Sequence, residues 1–174
     1  QLMPFTENAN WEKFRGFSPS GRVPCLHDGK RTVWDSLAII EYLAERHAGV
    51  WPEDEDARAW GRCVTCEMHS GLGELRNHCS MNCGVRVALK ETGQGLAADI
   101  ARVDEIWSEG VKRFGGPYLT GPAFSAADAF YAPVVSRFET YGVALAPDCD
   151  AYRRAVLGTA SMREWTAAAL AEKN

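Results

Sequence analysis

A proline lies inside the first strand-like segment of this chain and restricts what that segment can do. The segment covers residues 23–27 and begins with Val23-Pro24. Because proline has no amide hydrogen, it belongs at the edge or at a bend of a sheet, where a cis X–Pro bond is plausible. A cis bond before Pro24 would turn the N–H and C=O of Val23 outward, where a peptide-like ligand can add as an extra strand. The simpler alternative is that Pro24 only protects an edge strand.

The residues after this segment predict a hairpin, a second strand and a helix. Asp28-Gly29 is a two-residue hairpin signal, residues 31–34 are rich in β-formers, and residues 37–47 form a helical run. Asp35 and Ser36 stand where the second strand becomes the helix, so either side chain can cap it.

The same position also suits a charged ligand. A helix N-terminus offers free N–H groups and partial positive charge to a carboxylate, while Asp35 can pair with an ammonium group. Arg22 can hold another carboxylate through charged hydrogen bonds, although a surface arginine is often only solvated. Arg22, Asp35 and Ser36 together predict a ligand with a zwitterionic end, a peptide-like middle and a distant carboxylate.

Two regions of different character meet near residue 50. We predict a partial α/β domain over residues 1–48, a linker over 49–56 and an all-helical domain over 57–174. Residues 96–114 carry apolar side chains at spacings of three, four and five, which is typical of a long amphipathic helix. Residues 57–76 are predicted to form another uninterrupted helix.

Three helix signals occur in the last third of the chain. Ser125 precedes Asp128 by three residues, which is an acidic variant of the capping box. Ser161 and Glu164 repeat the signature in its standard form ahead of the final helix. Pro133 lies inside the helix that begins after Ser125 and is expected to bend it.

Composition excludes several classes of function. The chain has 19 Lys and Arg against 23 Asp and Glu residues, a formal net charge of −4, and no basic block, so nucleic-acid binding is not expected. No apolar run approaches the ~20 residues of a membrane-spanning helix. The six cysteines are too sparse for a disulfide scaffold, and we predict a cytoplasmic protein with reduced thiols.

Four of the cysteines could instead form a metal site. Cys63 and Cys66 form a C-x-x-C pair, and Cys79 and Cys83 follow with a C-x-x-x-C spacing. If residues 57–76 are one helix, however, the two pairs lie ~20 Å apart at the α-helical rise, which is too far for one tetrahedral ion. A redox role is disfavoured because such pairs usually follow a strand. We therefore predict no metal.

Three blocks of sequence resemble the glutathione transferase family of the cytosolic type, and together they span most of the chain. The first is Ser18-Pro19-Ser20-Gly21-Arg22-Val23-Pro24-Cys25-Leu26, and the second is Val33-Trp34-Asp35-Ser36-Leu37-Ala38-Ile39-Ile40-Glu41-Tyr42-Leu43. The third, Phe124-Ser125-Ala126-Ala127-Asp128-Ala129, is similar to the capping box of the family's helical domain.

The resemblance implies an incomplete thioredoxin-like domain, with its cis-proline at Pro24, followed by an all-helical domain. It also implies glutathione as co-substrate. The Val23 backbone would pair with the cysteinyl part, Asp35 and Ser36 would hold the γ-glutamyl end, and Arg22 would face the glycine carboxylate. Members of the family dimerise, so a homodimer is expected.

The resemblance further implies a pocket for an electrophile, for which His69 and Arg76 are candidate residues; packing or a dimer contact is the alternative. The family places its thiolate-stabilising hydroxyl or thiol at the start of the first helix. The residues before Ser18 supply only the end of a strand, at residues 1–5, and a short helix near Trp11. The catalytic group is therefore expected upstream of residue 1, which leaves the serine, tyrosine or cysteine class open.

The sequence thus predicts an enzyme that adds the glutathione thiolate to a small hydrophobic electrophile, by conjugation or by glutathione-dependent isomerisation. The alternative is a non-catalytic module of the same fold that acts through glutathione binding or dimerisation.

Overall fold

The computed structural model describes residues 11–89 and 92–172, and it divides between Val50 and Trp51 into two compact units. The predicted strand end at residues 1–5 lies outside the described residues. The first unit contains α1, β1, β2 and α2, which span Trp11–Arg15, Cys25–Asp28, Arg31–Trp34 and Ser36–Ala44.

The two strands form an antiparallel hairpin whose register pairs Cys25 with Trp34 and Asp28 with Arg31. The two-residue turn is therefore Gly29-Lys30, one residue later than the predicted Asp28-Gly29. Gly29 has a φ of 58°, a conformation that glycine adopts without steric cost at the first central position of such a turn. Asp28 is thereby left as the last residue of β1.

The second unit is entirely helical within the described residues. Its six helices are α3 Glu55–Ser70, α4 Gly73–His78, α5 Gln94–Phe114, α6 Ala126–Tyr141, α7 Pro147–Leu157 and α8 Ala160–Ala171. Helix α3 packs on α6, and α5 packs on α4 and α7. Trp107 of α5 is fully buried, with ring centroids 6.2 Å from Tyr131, 5.3 Å from Phe138 and 4.9 Å from Tyr152. This aromatic cluster forms the centre of the core.

The prediction of one uninterrupted helix over residues 57–76 is wrong, because the helix breaks between α3 and α4. Leu72 adopts the left-handed conformation, with φ of 55° and ψ of 42°, and Gly71 is the C-cap of α3. The Asp99 carboxylate on α5 accepts a hydrogen bond from the Leu75 N–H at 2.9 Å, which satisfies an N-terminal amide of α4. A contact from another helix therefore stabilises the break.

The start of α6 has the geometry of a capping box. The Ser125 side chain accepts from the backbone of Asp128, and Asp128 Oδ2 accepts from the Ser125 N–H at 2.8 Å. Asp128 Oδ1 also accepts from the Leu119 N–H at 2.9 Å, and the Asp128 side chain is fully buried. Helix α6 continues through Pro133 to Tyr141.

The predicted capping box of Ser161 and Glu164 is wrong, because α8 begins two residues earlier. Thr159 is the N-cap, with φ of −66° and ψ of 150°, and its hydroxyl accepts from the Met162 N–H at 3.2 Å. Ser161 lies inside the helix. Thr159 and Ser161 are both good N-cap residues, and the acid three residues after Ser161 favoured the wrong one.

Close approach of two segments requires glycine at position 110 of α5. A Cβ at Gly110 would lie 2.6 Å from Cη2 of Trp60 and 2.7 Å from the Leu119 carbonyl oxygen. Both contacts are shorter than van der Waals distance, and one of them is to backbone, so a side chain there must displace the packing.

None of the described helices is both long and apolar enough to cross a bilayer.

Candidate functional site

The peptide bond between Val23 and Pro24 is cis. Strand β1 begins two residues after Val23, so Val23 lies outside the hairpin ladder, and its side chain is 43% exposed. Among the described residues the backbone N–H and C=O of Val23 have no hydrogen-bond partner. A donor and an acceptor are therefore available beside the hairpin to an extended ligand.

Asp35 holds its carboxylate at the N-terminus of α2 in an uncommon backbone conformation. Its φ is 73° and its ψ 132°, a region that non-glycine residues rarely occupy and that costs about 1–3 kcal/mol. The Asp35 carboxylate accepts from the Leu37 N–H at 2.9 Å, and its carbonyl accepts from the Ile39 N–H at 3.0 Å. A strained residue kept between a strand and a helix is a marker of a functional position.

Ser36 is the first residue of α2 and is half-buried. Its hydroxyl has no hydrogen-bond partner in the described part of the chain. The hydroxyl and the partial positive charge of the helix N-terminus are together suited to a carboxylate. Asp35 and Ser36 therefore place an anion and an anion-binding group side by side, as a zwitterionic ligand end requires.

Contacts between the hairpin and α2 hold this helix against β1. The Tyr42 hydroxyl donates to Asp28 Oδ2 at 2.5 Å, which ties the last turn of α2 to the end of β1. This hydrogen bond raises the pKa of the Tyr42 hydroxyl. The Arg46 guanidinium lies 3.6 Å above the Tyr42 ring and donates to the Tyr42 carbonyl at 2.7 Å.

Arg22 is exposed directly before Val23, and its N–H donates to the Ser20 hydroxyl at 3.3 Å. Its guanidinium forms no ion pair with any described residue. All five N–H donors of this side chain are therefore available to a carboxylate near Val23.

His69 and Arg76, the candidate pocket residues, both lie in the second unit and have structural contacts there. The His69 ring meets the Phe130 ring edge to face, with centroids 6.0 Å apart. The Arg76 guanidinium donates to the carbonyls of Met68 at 2.5 Å and of His69 at 3.3 Å. Arg76 thus satisfies backbone acceptors at the C-terminal end of α3. Helical periodicity did not indicate this role, because in one continuous helix these carbonyls would accept from the following turn.

The cysteines differ widely in environment. Cys63 and Cys66 are exposed on α3, whereas Cys79 and Cys149 are buried; Cys25 and Cys83 are intermediate. Burial raises the pKa of Cys149 to about 12, with a further contribution from the Asp104 side chain. The Cys149 thiol also donates to the Asp104 carbonyl at 3.2 Å. Burial also raises the pKa of Cys79. Within the described residues, no three His, Cys, Asp or Glu side chains group as metal ligands do.

Alkylation of the native chain is expected to separate these thiols. Because the thiolate is the nucleophile, Cys63 and Cys66 should react first with iodoacetamide, and Cys149 more than about 100-fold more slowly. Peptide mass spectrometry over time would measure both rates, and the same reaction in denaturant, where all six should react alike, is the control. Rapid native alkylation of Cys149 would contradict the packing of α7 on α5.

Two family models match the chain. The model described as glutathione S-transferase, N-terminal domain, matches residues 4–46, and the one described as glutathione S-transferase, C-terminal domain, matches residues 87–157. A curated relative, maleylacetoacetate isomerase of Rattus norvegicus, is 29% identical over 147 residues, which cover 78% of this chain and 62% of the relative. The chain therefore spans less than two thirds of the length of that relative.

Solved structures show the same fold at low sequence identity. A glutathione transferase homologue from Burkholderia with bound glutathione has a TM-score of 0.69 at 21% identity, covering 92% of this chain and 79% of its own. Maleylacetoacetate isomerase from Methylobacterium extorquens, with bound malonate and glutathione, has a TM-score of 0.63 at 23% identity, covering 87% and 76%. The predicted fold class, a thioredoxin-like N-terminal part followed by an all-helical domain, is confirmed.

Proposed function

The chain belongs to the glutathione S-transferase family, and from that membership we propose that it binds glutathione and directs its thiolate onto a small, mostly hydrophobic electrophile. The reaction is either conjugation or glutathione-dependent isomerisation. The observation that carries the proposal is the pair at the start of α2: a carboxylate held at a positive φ, followed by a hydroxyl without a partner among the described residues.

Each part of the tripeptide has a complementary group in the first unit. The γ-glutamyl ammonium pairs with the Asp35 carboxylate, and the γ-glutamyl carboxylate accepts from the Ser36 hydroxyl at the positive end of α2. The cysteinyl peptide group pairs with the N–H and C=O of Val23. The glycine carboxylate accepts from the Arg22 guanidinium.

This binding mode gives the residues a positioning role. Glutathione supplies the thiol, whose pKa must fall from ~8.5 toward neutrality before the sulfur is an effective nucleophile. By fixing both ends of the tripeptide, Arg22, Asp35 and Ser36 hold the central sulfur in one place, which converts an encounter into an oriented attack. The hydrogen bond between Tyr42 and Asp28 holds α2 against the hairpin during binding.

The relatives favour isomerisation within this proposal. The curated relative from rat and the solved structure from Methylobacterium are both named maleylacetoacetate isomerase. Addition of a thiolate to a cis carbon–carbon double bond permits rotation, and loss of the thiolate then restores the double bond as trans.

A homodimer, as is common in the family, is part of the proposal, and sedimentation velocity would test it.

Calorimetric titration with glutathione tests the binding step. Glutathione should bind saturably, and cysteinylglycine, which lacks the γ-glutamyl group, should bind about 100-fold more weakly, because it loses charged hydrogen bonds at Asp35 and Ser36. Equal affinities for the two peptides would exclude the proposed site.

A conjugation assay with a chloronitroarene and an isomerisation assay with a maleyl substrate test the chemistry separately. Binding of glutathione without a rate above the uncatalysed background in either assay would replace the enzyme by a non-catalytic binding module.

A further inference from the structure

A cavity of about 450 Å³ lies in the second unit, between residues 81–85 and the end of α8. Its walls include Met81, Cys83, Val85, Trp165, Leu170 and Glu172. Val85, Trp165 and Leu170 are respectively 42%, 46% and 60% exposed, so the cavity opens to solvent through apolar side chains. A volume of this size falls within the range of small-molecule sites, and the lining combines apolar side chains with polar groups such as Asn82 and Glu172.

The described lining of this cavity carries charge of one sign only. Glu172 is the only charged side chain in the described lining, and it forms no ion pair within the described residues. It is the C-cap of α8, whose last turn carries no basic residue, so the partial negative charge of the helix end adds to that of the carboxylate.

Arg86, the cation on the 81–86 segment, pairs with another carboxylate. Arg86 donates to the carbonyls of Cys83 at 3.3 Å and Val85 at 2.9 Å, and its guanidinium lies 3.3 Å from the Glu139 carboxylate. The negative charge at Glu172 is therefore not matched by Arg86.

Trp165, Ala169 and Glu172 share one face of α8, because they are spaced by four and three residues. The axial distance from Trp165 to Glu172 is roughly 10 Å at the helical rise, which is the length of a fused aromatic ring system. An exposed indole ring attracts flat aromatic groups and cations alike.

We propose that this cavity binds a small aromatic cation, with its ring system against Trp165 and Leu170 and its positive charge toward Glu172 and the C-terminus of α8. The site lies in the second unit, uses none of the residues assigned to glutathione, and does not depend on the proposed enzymatic function.

Fluorescence titration with proflavine tests the proposal, because proflavine is a flat aromatic cation at mildly alkaline pH. Acridine, which has the same ring system and is uncharged at that pH, is the matched probe. The native chain should bind proflavine about tenfold more tightly than acridine. Trp165→Ala should weaken the binding of both probes by about tenfold, and Glu172→Gln should weaken proflavine alone.

Glu164→Gln is the control for bulk charge, because Glu164 is exposed on the same helix and outside the cavity. It should change proflavine affinity less than about twofold, since an exposed charge at that distance is screened by salt. Leu170→Ala is a second cavity variant, and circular dichroism shows whether each variant keeps its helices.

Any of four outcomes would overturn the proposal. The first two concern the native chain: absence of saturable proflavine binding, or equal affinities for proflavine and acridine. The other two are unchanged proflavine affinity in the folded Trp165→Ala and Leu170→Ala variants, and equal losses in Glu164→Gln and Glu172→Gln.

Discussion

Replacing Asp128 with alanine is expected to lower the free energy of unfolding of the helical unit by about 3–5 kcal/mol. The Asp128 carboxylate is fully buried and accepts from the N–H groups of Leu119 and Ser125 and from the Ser125 hydroxyl at 3.1 Å. Alanine would leave the N–H groups of Leu119 and Ser125 buried without partners, although the Ser125 hydroxyl would keep its hydrogen bond to Thr120. It would also remove part of the cap of α6, the helix that packs on both α3 and α7.

Urea unfolding monitored by circular dichroism measures this loss, and two variants sharpen it. Asp128→Asn keeps one acceptor oxygen but turns an amide NH₂ toward the other donor, so it should cost about 1–3 kcal/mol. Glu164→Ala removes an exposed acid from the second turn of α8 and should cost less than about 0.5 kcal/mol. A loss for Asp128→Ala as small as that for Glu164→Ala would contradict the structural role of the box.

The pH dependence of Asp128 has a definite sign. Burial raises the pKa of the Asp128 carboxyl above its ordinary value, although the three hydrogen bonds from Leu119 and Ser125 oppose that shift. The folded chain therefore holds this proton more tightly than the unfolded chain. This proton therefore stabilises the folded chain at pH values below the pKa of Asp128 in the unfolded chain, and the stabilisation is lost as pH rises through its pKa in the folded chain. Because Asp128→Asn removes the titrating group, the free energy of unfolding of this variant should change less with pH over that range.

Replacing Ser36 with alanine is expected to weaken glutathione binding by about 1–3 kcal/mol, through loss of one hydrogen bond to the γ-glutamyl carboxylate. The free energy of unfolding should change little, because the hydroxyl has no partner among the described residues to lose. Calorimetry on the folded variant measures the first quantity, and urea unfolding measures the second.

Ser36→Thr is the conservative control for this experiment. Threonine keeps a hydroxyl at the first position of α2 and should retain most of the affinity, whereas alanine should not. Unchanged affinity in Ser36→Ala would remove Ser36 from the site. Equal losses in both variants would assign the effect to the shape of the side chain instead of its hydroxyl.

The features that were predictable from the sequence depend on local chemistry. The hairpin and the capping box of Ser125 and Asp128 each follow from residues a few positions apart, and both are present in the structure. The cis bond before Pro24 is also present, but the residues alone left it open and the family resemblance implied it. The positive φ at Asp35 was not predicted, because the residue types alone fit an ordinary N-cap.

The features that were missed depend on residues distant in sequence. The break after Ser70 is stabilised by Asp99 on another helix, and the contacts of Arg76 with the end of α3 accompany that break. The cavity beside Trp165 brings residues 81–85 to the end of α8, more than seventy positions later. Periodicity within a window could not show any of these juxtapositions.

The bend between α3 and α4 is thus supported partly from outside the bent segment. Replacing Gly71 alone should do little to join the two helices, because the Asp99 carboxylate would still accept from the Leu75 N–H in the first turn of α4. Conversely, if residues 55–78 are transferred to another protein without α5, the same sequence should adopt a different angle between the axes of α3 and α4.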